Sequence, residues 1–258
     1  MKVASIQMTV VNNDKDANLA KAVANIEKCS DADLIILPEM WNVGFTNFDQ
    51  YISEAEGKEG KTLTMLRTMA QKTKSYIHGG SFVEKDQDSY YNSSYLISPT
   101  GDIVGQYRKI HLFGYNSQET KILTPGKDVT VVDTPLGNIG MATCFDLRFP
   151  ELFRKMVDKG AEIFLVCSAW PYPRLEAWNL LNRVRALENQ CFLMSSNSCG
   201  ALGGVQFVGH SLVVDPWGEI IAGSGDEEVN VRAEIDLNKL RAARDNFPGL
   251  ASRVDWLG

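Results

Sequence analysis

Short, uninterrupted apolar runs constrain the fold of this chain more than any other feature of its sequence. "DLIILPE" at 33–39 and "EIFLVCSAW" at 162–170 each hold at least four consecutive apolar residues. A strand with one face in water alternates apolar and polar residues, so an unbroken run indicates a strand that is covered on both faces. The chain is therefore expected to build sheet with other elements packed on either side.

Amphipathic segments alternate with these strands along the chain. Their apolar residues recur at helical spacing, which predicts helices, and a glycine at position 160 is expected to end one of them. Two further apolar stretches, "VASIQM" and "YIHGGSFVE", are predicted strands. The predicted helices are 14–28, 61–74, 148–160 and 173–189.

Three segments combine two apolar runs with a Pro and a Gly two residues later. They are "YLISPTGDIVGQY", "VVDTPLGNIGMA" and "LVVDPWGEIIA", and each is predicted to be a hairpin, because Pro fixes φ early in a turn and Gly accepts positive φ. Strand, helix and hairpin units thus recur in both halves of the chain. This predicts an α/β fold in which two mixed sheets face each other. No Pro/Ser-rich linker divides the chain, so residues 1–258 are predicted to form one domain.

Charge and cysteine content narrow the class of protein. The formal net charge is −6 with no basic block, which argues against nucleic acid or an anionic membrane as a partner. The apolar N-terminal stretch turns polar at Asn12, which is too short for a signal peptide, and no segment approaches a membrane span. Five cysteines without paired spacing predict reduced thiols in the cytoplasm and no zinc site.

Chemically useful side chains follow four of the predicted strands. Glu39, Lys109, Cys144 and Trp170 each come at or just after the end of an apolar run. Ligands of open α/β sheets gather beyond the carboxyl ends of the strands, so these residues are expected to converge. A thiol, a carboxylate and an ammonium are the groups that an acyl-transfer site needs.

Cys144 is the candidate nucleophile. It is expected at a strand-to-helix turn, where the helix N-terminus and a neighbouring Lys109 would favour the thiolate. The alternative is a small buried apolar residue, which is a common role for cysteine.

Glu39 is the candidate general base, with a structural ion pair as its alternative. Lys109 is the candidate oxyanion donor together with the backbone N–H of Phe145, and the alternative for Lys109 is a solvated lysine at a strand end. His111 offers a second possible base for Cys144, since the sequence places it two residues after Lys109.

Three segments, "LPEMW", "YRKIHLF" and "CFDLRFPE", resemble in this order the signatures of the nitrilase superfamily of carbon–nitrogen hydrolases. "SAWPYPRLEAWNLLNRVRALENQCF" and "GHSLVVDPWGEII" also look like family segments, so the resemblance covers nearly the whole chain. It implies a catalytic triad of Glu39, Lys109 and Cys144, with Glu119 positioning the lysine and the substrate. It also implies a four-layer α-β-β-α sandwich, a homodimer or larger homo-oligomer, and no metal or organic cofactor.

The "AWPYPR" segment resembles the omega-amidase-like branch, whose members hydrolyse the terminal amide of 2-oxo acids such as 2-oxoglutaramate. The resemblance implies that Trp170 and Arg174 frame an apolar slot and a carboxylate contact, with Phe113 as a further pocket residue. Arg148 is a rival cation that is expected to pair with neighbouring acids. An aliphatic amidase, an N-carbamoyl amino acid hydrolase or a nitrilase would use the same triad, and a binding or scaffold protein could use the same fold.

Overall fold

The computed structural model of this protein describes residues 1–254, so the last four residues of the predicted domain lie outside the described part. Two short 3₁₀ turns, Phe48–Gln50 and Cys144–Arg148, accompany the helices and strands. The first half contains β1 (Lys2–Gln7), α1 (Lys15–Lys28), β2 (Leu34–Ile36), α2 (Lys61–Thr73), β3 (Tyr76–Asp86), β4 (Ser89–Ile97), β5 (Ile103–Arg108) and α3 (Glu119–Ile122). The second half contains β6 (Val131–Val132), β7 (Ile139–Thr143), α4 (Pro150–Asp158), β8 (Ile163–Ser168), α5 (Leu175–Asn189), β9 (Phe192–Asn197), β10 (Cys199–Leu202), β11 (Val205–Val208), β12 (Leu212–Val214), β13 (Ile220–Gly223), β14 (Val229–Glu234) and α6 (Leu237–Asn246).

The strands form two six-stranded sheets and a small ribbon of β10 and β11. One sheet has the order β14-β1-β2-β3-β4-β5 and the other has the order β13-β12-β9-β8-β7-β6. In the first sheet β1, β2 and β3 run parallel, in the second β7, β8 and β9 do so, and antiparallel strands flank each group. Both sheets are therefore mixed, as predicted.

The apolar run in β2 shows why four layers form. Leu34 and Ile36 are buried in the core between the two sheets, whereas Ile35 and Leu37 belong to the core beneath α1 and α2. Successive side chains of a strand point to opposite faces, so an unbroken apolar run supplies both cores at once. On the far side, α4 and α5 cover the second sheet. The predicted α-β-β-α sandwich, with helices outside, is confirmed.

The three Pro–Gly hairpins are confirmed as β4–β5, β6–β7 and β12–β13. In the β6–β7 turn Gly137 has φ +109°, a conformation that L residues rarely adopt. Two predicted helices begin later than expected. The 148–160 segment becomes helical at Pro150, because the preceding residues first form the 3₁₀ turn Cys144–Arg148, and the 173–189 segment becomes helical at Leu175.

Three features of residues 1–254 bear on location and chemistry. No helix among them is both long and apolar enough to cross a bilayer. They contain no cluster of three or more His, Cys, Asp or Glu side chains that could hold a metal ion. All five cysteines are buried free thiols.

Candidate active site

The ends of three strands bring Glu39, Lys109 and Cys144 together. Glu39 lies three residues beyond β2, whereas Lys109 and Cys144 directly follow β5 and β7, so the group joins the two sheets. The Lys109 Nζ lies 2.8 Å from Glu39 Oε1, and both side chains are fully buried. The Glu39 carboxylate is also the charged group that acts most strongly on the Cys144 thiol. The structure therefore brings the three residues that the sequence singled out into one buried cluster.

The Glu39 carboxylate is fixed by donors from three directions. Its Oε1 accepts hydrogen bonds from Lys109 Nζ at 2.8 Å and from Asn92 Nδ2 at 2.9 Å. Its Oε2 accepts the backbone N–H of Ala169 at 2.9 Å. The backbone N–H of Glu39 in turn donates to the carbonyl of Ser168 at 3.2 Å, so the loops after β2 and β8 are tied together.

Glu119 begins α3 and is the second carboxylate that bonds to Lys109. Both of its carboxylate oxygens are 3.1 Å from Lys109 Nζ, and its Oε2 also accepts the backbone N–H of Phe113 at 2.6 Å. Burial raises the pKa of Glu119; the positive charge of Lys109 opposes this effect and the negative charge of Glu39 adds to it, so the net shift is upward. Glu119 is therefore a direct partner of the lysine.

Lys109 is the single cation between these two carboxylates. Burial by itself lowers the pKa of Lys109, but the negative charges of Glu119 and Glu39 outweigh burial and raise it well above its ordinary value. The lysine is therefore charged at neutral pH.

Cys144 sits on a strained turn that Asp146 holds in place. The φ of Cys144 is +49°, an unusual value for a residue other than glycine. The Asp146 carboxylate accepts the backbone N–H of Thr143 at 2.9 Å and the Tyr107 hydroxyl at 2.6 Å, and it lies 2.7 Å from Nδ1 of His111. The His111 ring also stacks on Phe149, so this histidine supports the turn, and the alternative in which it acts as the base loses its geometric basis.

The expectation that a helix N-terminus lowers the pKa of Cys144 is wrong. Helix α4 starts only at Pro150. Burial, followed by the negative charge of Glu39, raises the pKa of the Cys144 thiol well above its ordinary value, and the positive charge of Lys109 lowers it only in part. Because burial disfavours the thiolate, the reaction of Cys144 requires a base, and Glu39 is the carboxylate that acts most strongly on this thiol.

A small pocket of about 40 Å³ leads to Cys144. Arg148 and Arg174 both line it; the Arg174 guanidinium lies 5.9 Å from the Phe113 ring centre and that of Arg148 lies 5.1 Å from the Trp170 ring centre. The expectation that Arg148 pairs with neighbouring acids is wrong, since among residues 1–254 it forms no ion pair and instead packs on this ring. The lining residues are Phe45, Phe113, Cys144, Phe145, Arg148, Ala169, Trp170, Pro171 and Arg174.

Sequence reasoning missed two polar residues of the site, Asn92 and Asp146, and the pocket residues Phe45, Ala169 and Pro171. Asn92 contacts both carboxylates from the middle of β4, and its only signal is a polar residue inside the strand segment "YYNSSYLI". Asp146 stands two residues after the cysteine in "CFDLR", where an acid reads as an ordinary surface residue. Its burial and its bonds to Tyr107 and His111 depend on residues 39 and 35 positions away in the chain.

A thiol, a carboxylate and an ammonium on a four-layer sandwich indicate a hydrolase that uses a cysteine nucleophile. Comparison with known proteins indicates the same class. Residues 2–245 match the carbon-nitrogen hydrolase family. The chain is 34% identical to the 2-oxoglutaramate amidase of Paenarthrobacter nicotinovorans, with 98% of this chain and 89% of that protein covered. It is 34% identical to the 2-oxoglutaramate amidase of Bacillus subtilis (strain 168), with 95% of each covered.

Solved structures show the same fold. The crystal structure of Saccharomyces cerevisiae Nit3, a member of branch 10 of the nitrilase superfamily, superimposes with a TM-score of 0.90 at 35% identity and covers 96% of this chain and 94% of that one. The chain belongs to the carbon-nitrogen hydrolase family, within the nitrilase superfamily. It is accordingly a hydrolase that acts on carbon–nitrogen bonds other than peptide bonds.

Proposed function

We propose that this protein is an omega-amidase that hydrolyses the terminal amide of 2-oxo acid omega-amides of the 2-oxoglutaramate type. The observation that carries the proposal is the charge of the pocket: Arg148 and Arg174 line it, and none of its lining residues is an acid. Such walls suit a substrate with a carboxylate at the end remote from the scissile amide. The two bacterial relatives named 2-oxoglutaramate amidase support the same substrate class.

In the first half of the proposed reaction, the Cys144 sulfur attacks the amide carbon while Glu39 takes the thiol proton. The charged ammonium of Lys109 and the backbone N–H of Phe145 stabilise the oxyanion of the tetrahedral intermediate. The intermediate collapses as its C–N bond breaks and Glu39 returns the proton to the departing nitrogen. Ammonia leaves, and the acyl group remains on Cys144 as a thioester. Glu119 keeps Lys109 in position throughout.

In the second half, water takes the place of ammonia. Glu39 removes a proton from the water as its oxygen attacks the thioester carbon, and the same two donors hold the oxyanion. The C–S bond then breaks, the Cys144 sulfur regains a proton from Glu39, and the carboxylic acid leaves. The hydrogen bond of Glu39 to the lysine and the effect of its charge on the thiol support this double use of Glu39.

Steady-state ammonia release from a substrate panel tests the assignment. The panel contains 2-oxoglutaramate, glutamine, an N-carbamoyl amino acid, a simple aliphatic amide and a nitrile. We expect 2-oxoglutaramate to exceed glutamine in kcat/KM by roughly 100-fold, because the pocket offers no acid to the ammonium of glutamine and burial of an unpaired charge is unfavourable.

Two results would contradict the proposal. Equal kcat/KM for 2-oxoglutaramate and glutamine would remove the charge argument. A clear preference for the carbamoyl compound, the aliphatic amide or the nitrile would assign the chain to one of those other activities while leaving the roles of Glu39, Lys109 and Cys144 in place.

We further propose that the chain forms a homodimer through an apolar patch on α5 and the β12–β13 hairpin. Five large apolar side chains on these elements are exposed, as is Phe247 after α6, whose ring centre lies 6.2 Å from that of Trp217. Exposed large apolar side chains on neighbouring elements commonly mark a protein interface. The patch consists of Leu180, Leu187, Trp217, Ile220, Ile221 and Phe247.

Analytical ultracentrifugation tests the dimer. Leu180→Arg should yield monomers, because it places a charge in the patch, whereas Ile52→Arg should leave the dimer intact, since Ile52 is similarly exposed but outside the patch. A monomeric wild-type protein would refute the proposal.

We also propose one domain over residues 1–258 and a cytoplasmic location. The five free thiols support a reducing compartment, and the net charge of −6 supports a small-molecule amide as the partner over nucleic acid or a membrane. Cell fractionation with an antibody to the chain tests the location, and recovery in a membrane or secreted fraction would contradict it.

A further inference from the structure

Asn92 connects the two carboxylates of the site. It lies within β4, fully buried, and its side-chain nitrogen donates one hydrogen bond to Glu39 Oε1 and another to Glu119 Oε1, both at 2.9 Å. Its backbone carbonyl also accepts the backbone N–H of Lys109 at 2.9 Å. Asn92 and Lys109 are thus the two donors that both carboxylates share.

The oxygen of the same amide is left without a partner. Among residues 1–254 nothing donates to Asn92 Oδ1, although the atom is buried. Buried amides in proteins normally have both ends satisfied. The reversed amide would direct this oxygen at Glu39 and Glu119, two acceptors, so the carboxylates dictate the orientation of the side chain. The fold tolerates an unsatisfied acceptor in order to keep two N–H groups on these carboxylates.

The charges of the site explain why the neutral amide of Asn92, rather than a second cation, donates to both carboxylates. Glu39 and Glu119 together outnumber the single ammonium of Lys109 in a fully buried region. A hydrogen bond donated to a carboxylate favours its ionised form. An amide supplies two such bonds without adding a second cation that would compete with Lys109 for an oxyanion.

We propose that Asn92 is a positioning residue of the reaction, whose amide fixes the carboxylates of Glu39 and Glu119 and, through both, Lys109. The inference rests on the proposed role of Glu39 as the base. It extends that role, because the position of the Glu39 carboxylate then depends on Asn92, which does not line the pocket.

Asn92→Ala tests the proposal with a readout that needs no substrate. The rate of Cys144 alkylation by iodoacetamide is measured against pH in the wild type and the variant. Without the two N–H donors Glu39 and Lys109 are held less firmly beside Cys144, so the whole profile should shift to lower rates, by roughly 10-fold. In the ammonia assay kcat should fall by roughly 10-fold with KM nearly unchanged, since Asn92 does not line the pocket.

Asn182→Ala is the matched control. Asn182 on α5 is equally buried, donates one side-chain hydrogen bond to the Trp178 carbonyl at 2.8 Å and also leaves its Oδ1 without a partner among residues 1–254. Its alkylation profile should match that of the wild type. Asn92→Ser, which leaves a smaller cavity and is too short to span both carboxylates, should reproduce the shift if Asn92→Ala does not fold.

Two outcomes would overturn the proposal. One is a wild-type alkylation profile in the folded Asn92 variants, and the other is an equal shift in Asn182→Ala. A shifted profile in a protein that releases no ammonia from 2-oxoglutaramate would support the role of Asn92 while refuting the substrate assignment, so the two failures are separable.

Discussion

The buried charged centre and the mouth of the pocket are built in opposite ways. In the centre, Glu39, Lys109 and Glu119 are inaccessible to solvent and joined by hydrogen bonds of 2.8 to 3.1 Å. At the mouth, the guanidinium groups of Arg148 and Arg174 lie 5.1 to 5.9 Å from aromatic ring centres and form no ion pair within residues 1–254. Loss of one of these three groups would leave a buried charge without its partner. The loosely held mouth can change its side chains at little cost in stability. The reaction type is therefore a property of the centre and substrate choice is a property of the mouth.

The largest effect is expected on folding stability when the centre loses its cation. Lys109→Ala leaves two buried carboxylates without their shared partner, and breaking a buried ion pair in this way costs about 3–5 kcal/mol. Chemical denaturation measures the free energy of unfolding. Arg174→Ala is the control at the mouth and should change that free energy by less than about 0.5 kcal/mol. Equal destabilisation of the two variants would contradict the proposed difference in stability between the centre and the mouth.

Glu39→Gln should remove turnover and preserve the fold. The glutamine keeps the shape and most of the hydrogen bonds of the carboxylate but cannot accept the thiol proton, so kcat/KM should fall on the order of 100-fold or more. Ammonia release and circular dichroism of the same preparation measure both properties. Wild-type turnover in this variant would move the base role to Glu119 or His111.

Arg174→Gln and Arg148→Gln should affect one class of substrate only. Loss of a charged partner for the substrate carboxylate should raise KM for 2-oxoglutaramate by roughly 10-fold, with kcat little changed. A neutral aliphatic amide serves as the internal control and should lose nothing. An equal loss of kcat/KM for the neutral amide would mean that these arginines affect the reaction itself and not the binding of a carboxylate.

The smallest effect concerns thiol selectivity. Cys144 should be the first of the five cysteines to react with iodoacetamide, because it is the one among them that lines the pocket. Burial raises the pKa of Cys167 and of Cys191 to about 12, so both remain protonated thiols at neutral pH. Because the pKa of Cys144 is also raised, its labelling should accelerate as the pH rises through the alkaline range. Peptide mapping after short labelling measures the order, and earlier modification of Cys167 or Cys191 would contradict it.

Local patterns in the chain were sufficient to predict the layers of the fold and the candidate catalytic residues. The alternation of Leu34, Ile35, Ile36 and Leu37 between two cores follows from their unbroken apolar run. The hairpins follow from the spacing of Pro and Gly, which is a short-range signal. The start of α4 was misplaced because the 3₁₀ turn at Cys144 depends on Asp146 bonding to residues of β5 and of the loop that follows it.

The sequence by itself determined which groups stand at the strand ends, since strand limits and residue identity are both local. Only the tertiary structure decided what those groups do to one another. The Glu39 carboxylate bonds to Ala169, 130 positions away, and Asn92 bonds to two acids that flank it at distances of 53 and 27 positions. The raised pKa of Cys144, the donors shared through Asn92 and the contact of Arg148 with Trp170 all depend on such distant neighbours. Burial and charge act through space, so no short stretch of sequence carries them.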